Sequence, residues 1–253
     1  MLRSLLLCGL LAGACGGILA TGFARVVGEG PVGQAITYEH AQNDAAHAHD
    51  GSPVVSRALQ SSLGLLTAAL VYGLALGGLF ALAFAAVYGR VARASPARTS
   101  IWLAAAAFVV VYLVPFVKYP ANPPAVGDPD TIGKRTGLYL IMILISVVAA
   151  FTAVRLRALL AERRSASTSV LLAAAAYLAI VVLSGIALPS VDEVPKTFPA
   201  ETLFRFREAS VGMQAILWAT VGLVFAATAQ RVMTGRTMLP RRRSRSAPEA
   251  ASR

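Results

Sequence analysis

All three histidines of this chain fall within ten residues: His40, His47 and His49, interleaved with Glu39, Asp44 and Asp50. Imidazole and carboxylate together suit borderline divalent cations such as cobalt, nickel, zinc and copper. The alanines of the segment predict a helix over residues 35–48, which would put His40, Asp44 and His47 on one face at i, i+4 and i+7. Two imidazoles and a carboxylate would then reach one ion, with His49 and Asp50 able to substitute for or complete the set. His40, His47, His49, Asp44 and Asp50 are therefore the candidate metal ligands. The competing reading is a solvated polar loop in which three histidines cluster by accident of composition. The gathering of every histidine into one segment favours metal contact. Ligation requires neutral imidazole, so capture is expected to weaken as pH falls through roughly 6.5.

The elements that must hold this segment are strongly apolar. Of 253 residues, 57% are hydrophobic and 14% charged, with a mean hydropathy of +0.66. A soluble domain carries about 25% charged residues, so there is too little polar surface here to coat a globule in water. Six apolar stretches approach the roughly 20 residues that cross about 30 Å of hydrocarbon. They run from about Leu5 to Val27, Leu63 to Tyr88, Ile101 to Val117, Gly137 to Val154, Val170 to Leu188 and Val211 to Ala229. Each is apolar around its whole circumference, which suits lipid, and none alternates in polarity as a β-barrel strand would. The expected fold is all-α: a polytopic helical membrane protein with about six transmembrane helices and no soluble domain. Residues 1–230 would form one transmembrane domain and residues 231–253 a basic, disordered tail.

Within the first stretch, Leu11-Ala12-Gly13-Ala14-Cys15 resembles a lipoprotein cleavage site, but the apolar run continues well beyond Cys15, where a mature lipoprotein would turn polar. A retained helix is expected. Cys8 and Cys15 both lie in this run, so no disulfide framework is expected. Gly9, Gly13 and Gly17 recur at every fourth position, and Gly73 and Gly77 repeat the spacing in the second stretch. Such faces let helix backbones approach closely; a channel lining is the less favoured use.

The net charge of +11 is unevenly distributed. With six spans, the N-terminus, the second and fourth loops and the C-terminal tail share one side and hold fifteen of the Lys and Arg residues, against eight in the other loops. The positive-inside rule then places both termini in the cytoplasm, and the histidine segment outside. Ten of the twelve acidic residues fall in the outer loops. The basic tail, with Arg241, Arg242, Arg243 and Arg245, is expected to meet anionic lipid headgroups. Nucleic acid is not an expected partner.

The third and fifth loops are rich in proline, with Pro120, Pro123, Pro124 and Pro129 in one and Pro189, Pro195 and Pro199 in the other. Proline fixes φ and removes backbone donors, so both loops are expected to hold fixed shapes over the bundle, with Tyr119, Val126, Phe198, Leu203 and Phe204 covering helix ends. Tyr119 and Trp218 are expected at the bilayer interface. Both loops end in an acid, a threonine, an aliphatic residue and two bases: Asp130-Thr131-Ile132 with Lys134 and Arg135, then Glu201-Thr202-Leu203 with Arg205 and Arg207. The echo is compatible with repeated helical hairpins.

Enzyme motifs are lacking. Five residues, where a phosphate-binding loop needs four, separate Gly127 from Gly133, and Arg135 takes the Ser/Thr position. HExxH, CxxC and GxSxG do not occur. No acid or base sits at the expected centre of a span, which argues against a proton pump built on buried carboxylates. The chain is expected not to be an enzyme.

Three stretches together resemble the CbtA family of bacterial cobalt transporter subunits in its actinobacterial form. They are the HxH-bearing first loop, the stretch KYPANPPAVGDPDTIGKRTGLY (Lys118 to Tyr139) and the stretch FPAETLFRFREASVGMQAILW (Phe198 to Trp218). The resemblance covers residues 1 to about 230. It implies cobalt uptake supplying cobalamin biosynthesis at the bacterial plasma membrane, beside a small partner membrane subunit, CbtB, with its own histidine motif. Five spans are often described for the family, so the sixth is a departure. No tightly bound cofactor is expected, the metal being cargo. A divalent ion moving inward gains about 4.6 kcal/mol per 100 mV, twice the single-charge value, enough for a gradient of about a thousandfold. Cobalt binds N/O sites less tightly than nickel or copper, so selectivity must come from more than a flexible histidine loop. Two rival readings are a membrane scaffold or assembly factor without a solute path, and a permease for another solute.

Overall fold

A computed structural model describes residues 1–45, 56, 59–91 and 94–234 of the chain. Helix α1 (Leu2–Phe23) passes through a π-helical turn, Ala24–Gly28, straight into α2 (Glu29–Ala45). A second π turn, Gln60–Gly64, opens α3 (Leu65–Val87). Helix α4 (Pro96–Ala107) continues through the π turn Phe108–Leu113 into the short α5 (Val114–Lys118). Then come α6 (Ile132–Leu160), α7 (Ala166–Ala187) and α8 (Ala200–Met233). These make six continuous rods long and apolar enough to cross a membrane: Leu2–Asp44, Ser61–Val87, Pro96–Lys118, Pro129–Leu160, Ala166–Ala187 and Ala200–Met233. The chain is a multi-pass helical membrane protein. Leu79, Leu144 and Leu183, each more than 60% exposed, lie on the outside of the bundle as a lipid-facing surface requires.

Most rods overrun the apolar stretches from which the spans are expected. Hydropathy marks where hydrocarbon begins, whereas a helix continues until something satisfies its end groups. The Ser95 side chain accepts from Arg98 N at 3.3 Å and the Ser165 side chain from Thr168 N at 3.2 Å, so α4 and α7 begin in polar sequence. Asp128 caps the 3₁₀ turn Pro129–Thr131 that leads into α6 by accepting from Asp130 N at 2.9 Å.

Helices α1, α3, α4 and α8 form one packed group. Its core includes Leu5, Cys8, Ala12, Phe84, Ala104, Trp218 and Phe225. Phe225 meets Phe80 and Phe84 edge-on at 5.1 and 5.0 Å between ring centroids. The glycine faces pack α1 on α3: Gly9 lies against Gly77, Gly13 against Gly73 and Gly17 against Ala69, with backbone touching backbone. Both cysteines are free.

Helices α6 and α7 form a hairpin of their own. It is built on Met142, Ala149 and Val181 and linked by Ser146 Oγ and Tyr177 Oη at 2.8 Å. This hairpin meets the main group at α5 and the π turn before it, through Val114 and Tyr119. Trp218 departs from expectation. It sits midway along α8, 5% exposed and packed in the core, away from any interface. Ala104 and Val221 close around it, so packing between helices decides its place where aromatic-belt statistics would put it at the headgroups.

Candidate functional site

The first rod is far longer than a bilayer needs. Its 43 residues make a helix of about 64 Å, against about 30 Å of hydrocarbon. Helix α2 therefore stands out of the membrane as a post on the side opposite Met1 and the Met233 end of α8. One face of the post is buried. Ala35 packs against Val126 and Phe198 in a small second core, and Tyr38 meets Phe198 edge-on at 5.0 Å. Tyr38 Oη lies 2.6 Å from Thr197 Oγ1 and accepts from Gln42 Nε2 at 2.6 Å, while Thr202 Oγ1 donates to Gln34 Oε1 at 2.9 Å. The other face carries His40 and Asp44, four residues apart and both exposed. His47, His49 and Asp50 lie outside the described residues. Among the described residues no three His, Cys, Asp or Glu side chains converge on one point.

The two proline-rich loops close around the foot of this post as a cap and lock to one another. Lys118 Nζ donates to Ser190 Oγ at 3.3 Å and Tyr119 Oη to the Pro189 carbonyl at 2.8 Å. Asp128 N donates to Glu193 Oε2 at 3.0 Å, and Arg135 Nε lies 3.4 Å from the same oxygen. Arg207 returns the brace, donating to the Ala121 carbonyl and to Asn122 Oδ1 at 3.3 and 3.1 Å. The two echoed sequence segments thus cross over: Arg135, at the start of α6, holds the fifth loop, while Arg207, near the start of α8, holds the third. Val126 and Phe198 are buried as expected, and Leu203 and Tyr119 are half-buried. Phe204 is a correction. It is 67% exposed, because one helical step turns it away from the cap-facing Leu203.

Below the foot of the post lies a cavity of about 400 Å³ between the first rod, α3 and α8. The π turns Ala24–Gly28 and Gln60–Gly64 both border it, and Glu29, Ser61, Ser210 and Met213 supply its polar and sulfur-bearing lining. Such single-turn widenings recur at functional sites because they displace backbone groups from the regular ladder. Sequence reasoning does not find this cavity. Half of its lining residues are Gly, Ala or Leu in no motif, and Glu29 reads simply as the polar end of a span.

The chain matches the family described as "Probable cobalt transporter subunit (CbtA)" over residues 2–230, which take in five of the six rods whole, the sixth to within its last turn, both proline-rich loops and the histidine segment. No curated protein and no solved structure matches it. The chain belongs to the CbtA family.

Proposed function

We propose that this chain is the membrane subunit of a divalent transition-metal uptake system, with cobalt as its cargo, and that its histidine segment captures the ion on the outer face. The observation that carries this reading is the post: one face of α2 is buried on the cap while the other presents His40 and Asp44 to solvent. His47, His49 and Asp50 follow directly in the sequence and complete a set of three imidazoles and two carboxylates, the donor types that a borderline cation prefers. A cation leaving water for a cell must first meet something outside, and a rigid helix holds its ligands clear of the lipid surface. The system supplies cobalamin biosynthesis and includes a small membrane partner of the CbtB type. The chain holds no resident cofactor and catalyses no reaction. Its single membrane domain spans residues 1–230, and the basic tail beyond, outside the described residues from 235 onward, rests on anionic lipid of the inner leaflet.

Orientation follows from the fifteen-to-eight division of Lys and Arg, which places both termini in the cytoplasm of the bacterial cell. Reporter fusions after Gln60 and after Arg253 are expected to read outside and inside respectively. An external reading at Arg253 would reverse the assignment of the cap and end the capture reading.

Capture itself is tested by replacing His40, His47 and His49 together with alanine and following radioactive cobalt(II) uptake in cells that carry the full system. Losing three ligands at the surface should lower uptake by about tenfold at limiting metal, the order seen when metal affinity is weakened. The effect should vanish at saturating metal, because a capture site raises local concentration without forming the path. Normal uptake by the variant at limiting cobalt would leave the histidines without this role.

A further inference from the structure

We propose that the hydroxyls of Tyr72, Tyr112 and Tyr139 and the side-chain amide of Gln214 form a polar relay inside the membrane, through which the divalent cation leaves the cavity beneath the histidine post. The proposal rests on the uptake reading above and names part of the path that this reading requires.

The placement comes from helix periodicity. On α3 and the turn before it, the cavity is lined by Ser61, Leu65 and Ala68, and Tyr72 is the next residue on that face, four beyond Ala68. On α8 it is lined by Phe206 and Ser210, and Gln214 follows Ser210 by four. Tyr72 and Gln214 therefore lie one turn deeper than the cavity wall, and they lie side by side. The hydroxyls of Tyr72, Tyr112 and Tyr139 are all within electrostatic range of one another. Four rods thus contribute to one polar locus: α3, the π turn after α4, α6 and α8. It sits at the seam between the main helix group and the α6–α7 hairpin.

Two atoms there are out of keeping with a purely structural cluster. Tyr112 is only 9% exposed, yet its hydroxyl is buried without a hydrogen-bond partner. The Gln214 Oε1 atom is likewise buried and unpartnered. A buried polar atom left unpaired costs stability, so these oxygens are poor glue between helices and well suited to a transient ligand. The backbone adds to the pattern. Tyr112 lies in the π turn Phe108–Leu113, where Val114 N reaches back five residues to the Val109 carbonyl. Pro115, in the next turn, has no N–H to return to the preceding carbonyls. Neutral hydroxyl, amide and carbonyl oxygens can replace hydration water around a cation without holding it as a carboxylate would, which is the balance that passage demands.

The test is Tyr112→Phe, with Tyr139→Phe as the second variant, in the full system. Removing an unpartnered hydroxyl should leave the thermal midpoint of the purified protein equal to or above that of the wild type. Radioactive cobalt(II) uptake should lose about tenfold in maximal rate, the most that one hydrogen-bonding group typically contributes, with the half-saturating concentration unchanged. Unchanged maximal rates in both variants would overturn the relay. So would a rate that falls only in step with a falling thermal midpoint, since that is the signature of helix glue. A changed half-saturating concentration at constant maximal rate would also overturn it, assigning the hydroxyls to capture. A wild-type chain giving no uptake above a strain that lacks it would sink the uptake reading itself, an outcome separate from all of these.

Discussion

Replacing Gly13 with leucine is expected to abolish assembly of the bundle. A Cβ at this position would overlap the Gly73 carbonyl oxygen and would lie 2.7 Å from the Gly73 carbonyl carbon and 3.1 Å from Gly77 Cα. These are backbone atoms in the middle of a helix, so no rotamer change relieves the clash. The glycines one turn away on either side are as tightly placed: Gly9 meets Gly77, and a Cβ on Gly17 would lie 2.5 Å from the Ala69 carbonyl oxygen. Helices α1 and α3 would have to move apart along their whole seam, and α1 would pull away from α8 at the same time. Overpacking a compliant core costs about 1–3 kcal/mol. A rigid backbone contact should exceed that and consume much of the roughly 5–15 kcal/mol that holds a domain together. The measurement is the yield of monodisperse protein in detergent. Gly22→Leu is the control, because a Cβ there meets nothing within 4 Å on the same helix. Equal yields from the two variants would remove close glycine packing as the reason for the repeat.

The second large effect is expected at Gly127, where valine should unlock the cap while leaving the bundle intact. Gly127 has φ +112°, a conformation that side chains rarely adopt, and adopting it would cost about 1–3 kcal/mol. The Arg135 guanidinium also occupies the space, with Cζ 2.7 Å from where the Cβ would be. Pushing Arg135 aside takes it from Glu193 Oε2 and from the Asp128 carbonyl, so the third and fifth loops lose the ion pair among the links they share. Limited proteolysis from the cap side should cut the variant's loops at least about fivefold faster, the low end of that strain converted to a population. Gly133→Ala should behave as the wild type, since nothing lies within 4 Å of its Cβ direction.

Acid probes the same brace. The Glu193 carboxyl is held below its ordinary value of 4.5, first by the Thr131 hydroxyl beside it, then by the Asp128 N–H and the charges of Arg135 and Lys134. A lowered folded value means that the contribution is complete above the ordinary carboxylate range and fades as pH falls through the lowered one. Cap protection should therefore be flat down to about pH 4.5 and weaken below it, while Glu193→Gln should lose that acid dependence at this site.

The six rods were readable because lipid imposes one stringent rule, that a span be apolar all round, and Leu5 to Val27 or Val170 to Leu188 obey it without help from neighbours. The glycine repeat was readable for a related reason: small residues four apart have few uses in a membrane except close approach. What escaped depends on residues far apart in the chain. Arg135 finds Glu193, and Arg207 finds Asn122, only after the two spans between them, α6 and α7, have folded back on each other, so the echo between the two loops showed that they were related but not that they cross. Trp218 reads as a belt aromatic until α4 is placed beside it. Of the proposed ligands, only His40 and Asp44 fall within the described residues, and their shared exposed face follows from spacing alone. The cavity at the foot of the post could not be read at all, since absence of side-chain bulk leaves no motif.

The unbroken course of the first rod has a mechanical meaning. From the middle of the π turn Ala24–Gly28 to His40 is fourteen residues of helix, a lever arm of about 21 Å. A tilt of about 10° pivoting at that turn would swing His40 sideways by roughly 4 Å. The arm is bolted to the loops through Ala35 and Tyr38, and below the pivot the same rod is clamped to α3 through Gly9, Gly13 and Gly17. The tip, the proline-rich loops and the membrane seam are therefore one machine part with a single fulcrum, and the fulcrum borders the cavity.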